Sequence, residues 1–112
     1  MRMWMVDPKY MCDRHLLGEH VECHMFAGCL DRGKTLSGYI NKNLFDPSSL
    51  IKRHSELAKE MISRGFRHLS PLSGHSGDPS PIDAARSLND LLNRCSRCMQ
   101  RYESRRSERA KG

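Results

Sequence analysis

The sequence predicts an all-α fold: a compact single domain of three main helices, with an extended N-terminal arm and a basic C-terminal tail. Three observations carry that reading. Apolar residues recur at three- and four-residue spacing in three separate stretches. Each stretch is bracketed by capping or stop residues. No stretch alternates apolar and polar residues over the length of a strand.

Residues 1–12 read as the arm, with Pro8 keeping it out of a helix. Asp13 suits the N-cap of a first helix running to about Leu30. Leu16, Leu17, Val21, Met25, Phe26 and Leu30 cover more than half of its circumference, which predicts a central helix. "DRGKTLSG" (31–38) is a loop and "YINKNLF" a short connecting segment. In "DPSSLIKRHSELAKEMISRG" Asp46 caps, Pro47 suits the first turn and Gly65 stops the second helix. Its inner stripe is Leu50, Ile51, His54, Leu57, Ala58, Met61 and Ile62. Residues 66–80 form a long loop. Ser80-Pro81-Ile82-Asp83 then opens a third helix whose apolar face holds Ile82, Ala85, Leu88, Leu91, Leu92 and Cys95. From Arg94 the chain turns basic, through Arg97, Arg101, Arg105, Arg106, Arg109 and Lys111. Residues 1–102 are thus expected to be one helical domain, and 103–112 a basic tail without fixed structure.

The 112 residues suffice for one core, and the formal net charge of +6 favours a polyanionic partner, nucleic acid before membrane. No stretch approaches the length of a membrane span, and the start carries no signal-peptide pattern. Five cysteines, an odd count without an export signal, read as reduced thiols of a cytosolic protein.

Among chemical motifs, Cys95-x-x-Cys98 has zinc-ligand spacing, and Cys12-x-x-His15 and His20-x-x-Cys23-His24 supply further soft donors. Zinc pairs normally sit on turns, whereas these groups fall largely within predicted helix. Cys23, Cys29 and Cys95 are therefore read as small core residues, and no metal is assigned. There is no phosphate-binding glycine loop and no serine-nucleophile elbow, and nothing marks one cysteine as activated.

The stretch "DRHLLGEHVECH" (13–24) sets His15, Glu19 and Glu22 on one helical face. By itself this is a solvated stripe whose acids pair with Arg14 or other cations. Two carboxylates flanked by apolar residues are also a candidate proton-transfer site.

Joined to the N-terminus, the stripe resembles the pyrimidine-dimer DNA glycosylase family, the phage endonuclease V type. Arg2, Asp13, His15, Leu16, Glu19, Glu22 and Gly28 fall on matching residues without a gap from residue 1 to about 28. "LIKRHSELAKEMISRGF" (50–66) is similar to a second family segment, and "MRMW" with "HLLGEHVECHM" to short phage and bacterial relatives. The resemblance implies a glycosylase with abasic-site lyase activity. Its nucleophile is the chain's own α-amine, here at Met1, which attacks the deoxyribose C1′. An α-amine titrates near ~7.7–8.0, against ~10.4 for lysine, so an appreciable fraction is neutral at neutral pH, far more than for a lysine. Initiator Met is expected to be retained before a residue as large as Arg2. The resemblance makes Glu22 the catalytic carboxylate and Arg2 and His15 contacts to phosphate or sugar. Arg14, His20, His24 and Lys34 complete the expected DNA-binding set. The expected partner is double-stranded DNA with a lesion or abasic site, bound by a monomer, with no cofactor, metal or membrane.

Two family arginines on the first helix correspond to Val21 and Met25, which His20 and His24 neighbour. The family's aromatic-rich C-terminal segment has no counterpart, Tyr102 being the sole aromatic of the last 45 residues. Trp4 and Tyr39 are candidates for stacking on DNA or for core packing. His54 reads as a core histidine, while His68 and His75 lie in the polar loop. Two other functions stay open: a non-catalytic basic nucleic-acid-binding module, and a small zinc-stabilised interaction protein using Cys95 and Cys98.

Overall fold

The computed structural model describes residues 1–68 and 70–111; among them are five α-helices and no strand. They are α1 (Asp13–Asp31), α2 (Ser37–Asn41), α3 (Leu50–Ser63), α4 (Ala84–Arg94) and α5 (Ser96–Lys111). Short 3-10 turns at Pro8–Tyr10 and Pro47–Ser49 lead into α1 and α3. The all-helical class and the extents of the first two long helices match the expectation. The third element does not.

The third helix divides at Cys95, which is extended (φ −133°, ψ 110°), and the chain resumes as α5. Residues 103–111, expected to lack fixed structure, are helical. Tertiary contact supplies the reason. Cys98 is fully buried, Tyr102 meets Tyr10 edge-on with centroids 4.9 Å apart, and Arg101 Nε donates to the Lys9 carbonyl at 3.1 Å. These residues share one side of α5 and dock it on the arm. The side chains of Arg109 and Lys111, and all of Gly112, lie outside the described part.

Side-chain capping by Asp46 and Asp83 follows sequence chemistry, but Asp46 caps the Pro47–Ser49 turn and Asp83, not Ser80, caps α4. The Asp46 carboxylate accepts from the Ser48 amide at 3.1 Å, and that of Asp83 from the Arg86 amide at 3.1 Å. Cys12, not Asp13, is the N-cap of α1, and it makes no side-chain capping bond. Asp13 instead accepts from Arg64 Nη1 at 3.0 Å.

The buried face of α1 carries Leu16, Glu19, His20, Cys23, Phe26 and Ala27, so two polar residues sit inside the helical stripe. Val21 and Met25, counted above as core, are 54% and 49% exposed. The α1 core face packs on α3, where Leu50, Arg53, His54, Leu57, Ala58 and Met61 are buried. Phe26 stacks on Phe45 at 4.3 Å, and Met3, Trp4 and Val6 bring the arm into the same core.

Glu19 and Arg53 are both almost fully buried and form a two-pronged pair, Nε–Oε2 2.6 Å and Nη2–Oε1 2.9 Å. Arg53 Nη1 also donates to the Val6 carbonyl at 2.7 Å. One guanidinium therefore joins α1, α3 and the arm.

Removing one partner strands a buried charge. Glu19→Leu is expected to cost about 3–5 kcal/mol of unfolding free energy in a urea titration. The double change Glu19→Leu/Arg53→Met should cost clearly less than that single change. A double loss equal to the sum of the Glu19→Leu and Arg53→Met losses would mean that the two charges are not coupled.

Candidate active site

The arm is held so that the first peptide unit lies on α1. The Met3 amide donates to the Leu44 carbonyl at 2.8 Å. That turn is tied to the start of α4 through Asn43, whose Nδ2 donates to the Pro81 carbonyl at 2.8 Å and whose Oδ1 accepts from the Asp83 amide at 2.9 Å. Met5 takes a left-handed conformation (φ 57°), which a non-glycine residue adopts at a cost of about 1 kcal/mol or more. The surrounding burial of Met3, Trp4 and Val6 offsets it.

At the tip of the arm, the Arg2 amide donates to Glu22 Oε2 at 3.3 Å. The residues are twenty positions apart, and both are half-buried. Met1 is half-buried too and packs against the core. Its nitrogen is one residue from that of Arg2, and therefore within about 4 Å of it. The Arg2 guanidinium lies 3.7 Å from the Trp4 ring centroid, donates to Ser87 Oγ at 3.1 Å and comes within 3.9 Å of Asp90. Its Nε is buried and has no hydrogen-bond partner among the described residues. Burial lowers the pKa of this guanidinium, against the raising influence of Asp90, though an arginine stays charged. A cleft of about 250 Å³ passes Arg2 between the 42–44 turn and α4, with Lys42, Arg86 and Arg94 in its wall.

The other expected site residues divide. His15 meets the Trp4 ring edge-on at 5.9 Å. Burial lowers its pKa, the Arg14 charge lowers it further, and Glu22 pulls the other way. Its Nδ1 is 3.3 Å from Cys12 Sγ and 3.7 Å from Cys98 Sγ. Arg14 is exposed and shares a groove of about 400 Å³ with Arg97, Arg101 and Arg105 of α5. Lys34 is exposed beyond the far end of α1. Since α1 rises about 1.5 Å per residue, Lys34 is some 25–30 Å from Arg14.

His20 and His24 turn toward α3. His20 is 8% exposed, with its ring 4.7 Å from that of His54. His24 Nε2 is 3.0 Å from His54 Nε2, and His68 Nε2 is 3.4 Å from the same atom. His54 is thus a core histidine, as expected. His68 joins it from a loop whose spacing gave no such signal. Trp4 is 6% exposed, the packing alternative, and Tyr39 is half-buried edge-on to Phe26 at 5.3 Å.

The thiols likewise divide. Cys23 is fully buried, and burial pushes its pKa up to about 12. Cys12, Cys95 and Cys98 gather with His15, all four donor atoms lying within 4.8 Å of one another. Burial by itself would raise the Cys95 thiol, but hydrogen bonds from the Cys98 and Arg97 backbone and with the Cys98 and Cys12 thiols lower it. Cys98 is pushed up to about 12, burial being the main cause. Sequence reasoning placed His15, Cys95 and Cys98 in or at the end of helices and Cys12 at the end of the arm. The structure sets Cys12 at a helix start and Cys95 at a helix break.

An all-helical protein that lays its first peptide on a helix carboxylate, with arginine-bearing clefts at Arg2 and at Arg14, has the architecture for work on a polyanion. The family model for pyrimidine dimer DNA glycosylase matches residues 1–73, and the chain belongs to that family. Membership sets it among DNA repair glycosylases, whose substrate is damaged DNA. The match takes in the arm, α1, α2 and α3; α4 and α5 lie beyond it. No curated protein and no solved structure matches the chain. No helix of the described residues is long and apolar enough to cross a membrane.

The His20 environment makes stability depend on pH. Burial, with the charges of His54, His24 and His68 facing it, lowers the His20 pKa to about 4, against ~6.5 when unfolded. The unfolded chain therefore takes up the proton first, and stability falls as pH drops from ~6.5 toward 4. The His20 contribution at pH 5 is about 2 kcal/mol. Urea titrations at pH 7.5 and pH 5 should show a smaller drop for His20→Leu than for the unmodified chain. An unchanged pH difference would show that His20 is not buried in its neutral form.

Proposed function

We propose that the chain is a DNA glycosylase and abasic-site lyase that uses the α-amine of Met1 as nucleophile and Glu22 as the proton-transfer group. The observation that carries this reading is the 3.3 Å contact between the Arg2 amide and the Glu22 carboxylate. It sets the amine one residue from a half-buried carboxylate.

The neutral amine attacks C1′ of the damaged nucleotide. The C1′–N bond breaks, and the base leaves with its electron pair and a proton. The nitrogen keeps its remaining hydrogen, and its lone pair expels the ring oxygen: the C1′–O4′ bond breaks, O4′ takes up a proton, and a cationic imine with the opened sugar results. That cation draws electrons from the C2′–H bond, so C2′ gives up a proton. The 3′ phosphate then departs with the C3′–O electron pair, and the strand is cut. Glu22 stabilises the sugar cation and carries protons between these steps.

The partner is duplex DNA with a lesion or an abasic site, its reacting nucleotide displaced from the stack. Arg14, beside Arg97 and Arg101, is the phosphate contact best supported by exposure and grouping, and Arg2 reaches the wall of the second cleft. Val21 and Met25 stand exposed one residue before and three after Glu22, and offer an apolar surface to a base or sugar. His15 acts from behind Trp4. His20 and His24 are turned into the α1–α3 interface, so their contribution is to that packing.

Borohydride reduction on an abasic-site duplex should yield a covalent adduct that peptide mapping assigns to Met1. One extra residue ahead of Met1 should abolish it; an extended chain that traps equally well would exclude the α-amine. Glu22→Gln should slow elimination by about 10²–10⁴-fold while binding persists. In a separate titration, Arg14→Ala and Arg97→Ala should each flatten the dependence of log K on log salt by about one. A slope that does not change would move the phosphate track elsewhere.

A further inference from the structure

We propose that Cys12, His15, Cys95 and Cys98 bind a single structural zinc ion that clamps the C-terminal helices to the family core. The two pairs, Cys12-x-x-His15 and Cys95-x-x-Cys98, come from segments more than eighty residues apart.

The geometry is that of four ligands around one point. Zinc binds thiolate sulfur at about 2.3 Å and imidazole nitrogen at about 2.0–2.1 Å. Tetrahedral angles then require S···S separations near ~3.8 Å and S···N separations near ~3.6 Å. Cys12 Sγ and Cys95 Sγ are 3.8 Å apart. His15 Nδ1 stands 3.3 Å from Cys12 Sγ and 3.7 Å from Cys98 Sγ. With all four donors inside 4.8 Å, the space suits one ion and not a multi-iron cluster.

The backbone is arranged around the sulfurs as well. The Cys12 amide donates to Cys98 Sγ at 3.2 Å, and the Cys98 amide to Cys95 Sγ at 3.4 Å. Cys12 immediately precedes α1 and Cys95 immediately precedes α5, so both sulfurs lie where helix dipoles favour negative charge. Binding forms three Zn–S bonds and one Zn–N bond, and the thiols release their protons to solvent. Packing two buried thiols and a half-buried one beside an imidazole gives no reason for donors to converge from three helix ends; a metal does.

Position defines the consequence. Cys12 and His15 lie within residues 1–73, while Cys95 and Cys98 lie beyond them. The ion would fasten α4 and α5 to the start of α1, next to the groove shared by Arg14 and Arg97. It would also fix the His15 ring beside Trp4. The proposal does not depend on the glycosylase reading.

The test uses the full chain produced in zinc-supplemented medium and purified without chelator. Elemental analysis should find one zinc per chain, released in step with titration of thiols by an organomercurial. Cobalt(II) substitution should give strong near-ultraviolet thiolate charge-transfer bands and the visible bands of a tetrahedral ion. Cys95→Ser and Cys98→Ser should lose the metal, whereas Cys29→Ser, outside the cluster, should keep it. Where a variant fails to fold, the cobalt spectrum of the unmodified chain decides. Removal of zinc by a strong chelator should lower Tm by more than ~10 °C. Three outcomes would overturn the proposal: zinc far below one per chain, a disulfide between Cys12 and Cys95 in protein kept reduced, or a bound metal with nitrogen ligands only. The last would place the ion at His20, His54 and His68 instead.

Discussion

The buried Arg53 guanidinium organises this molecule. It satisfies Glu19 of α1 with two hydrogen bonds and the Val6 carbonyl of the arm with a third. Neither charge could be left in the core without the other. The pair therefore sets how α1 lies on α3, and it fixes where the arm must pass. Once Val6 is held, burial of Trp4 and Met3 and the bond from Met3 to Leu44 carry the chain start back over α1. Glu22, three residues along from Glu19, is then the carboxylate that the arm reaches.

α1 consequently serves different partners on different sides. Glu19 faces inward to Arg53, Glu22 meets the arm, and His20 and His24 meet α3. Its first turn meets α5 through Cys12 and His15. Two of its six buried positions, Glu19 and His20, are polar, so apolar spacing alone misplaces its faces. Val21 and Met25 completed an apolar pattern on paper, yet they are exposed beside Glu22. The inner face was instead completed by an acid and an imidazole, each with a partner from α3.

The helical class was legible, as were the extents of α1 and α3, because spacing and caps are local properties. Asp46 and Pro47 open the 3-10 turn that leads into α3, and Gly65, in the left-handed region, follows its end. The division at Cys95 was not legible. Nothing in "LLNRCSRCMQ" breaks a helix by propensity, and the break coincides with the contact of the Cys95 thiol with that of Cys12. The helical course of 103–111 also escaped, since a run of arginines carries no sign that Tyr102 and Cys98 will find Tyr10 and Cys12. Glu22 and Arg2 could be singled out through a family resemblance, but their contact could not be derived from spacing.

By itself, the sequence determined what kind of protein this is: helical, basic, and of the pyrimidine dimer DNA glycosylase family through residues 1–73. Those properties reside in composition, short-range periodicity and matched positions. Tertiary structure alone decided the pairings: Arg2 with Glu22, Arg53 with Glu19, and Cys12 and His15 with Cys95 and Cys98. Each joins residues separated by twenty to more than eighty positions, and no local signal encodes such a distance. They exist because buried charges, amides and thiols must find partners, and only the folded chain determines which partners lie within reach.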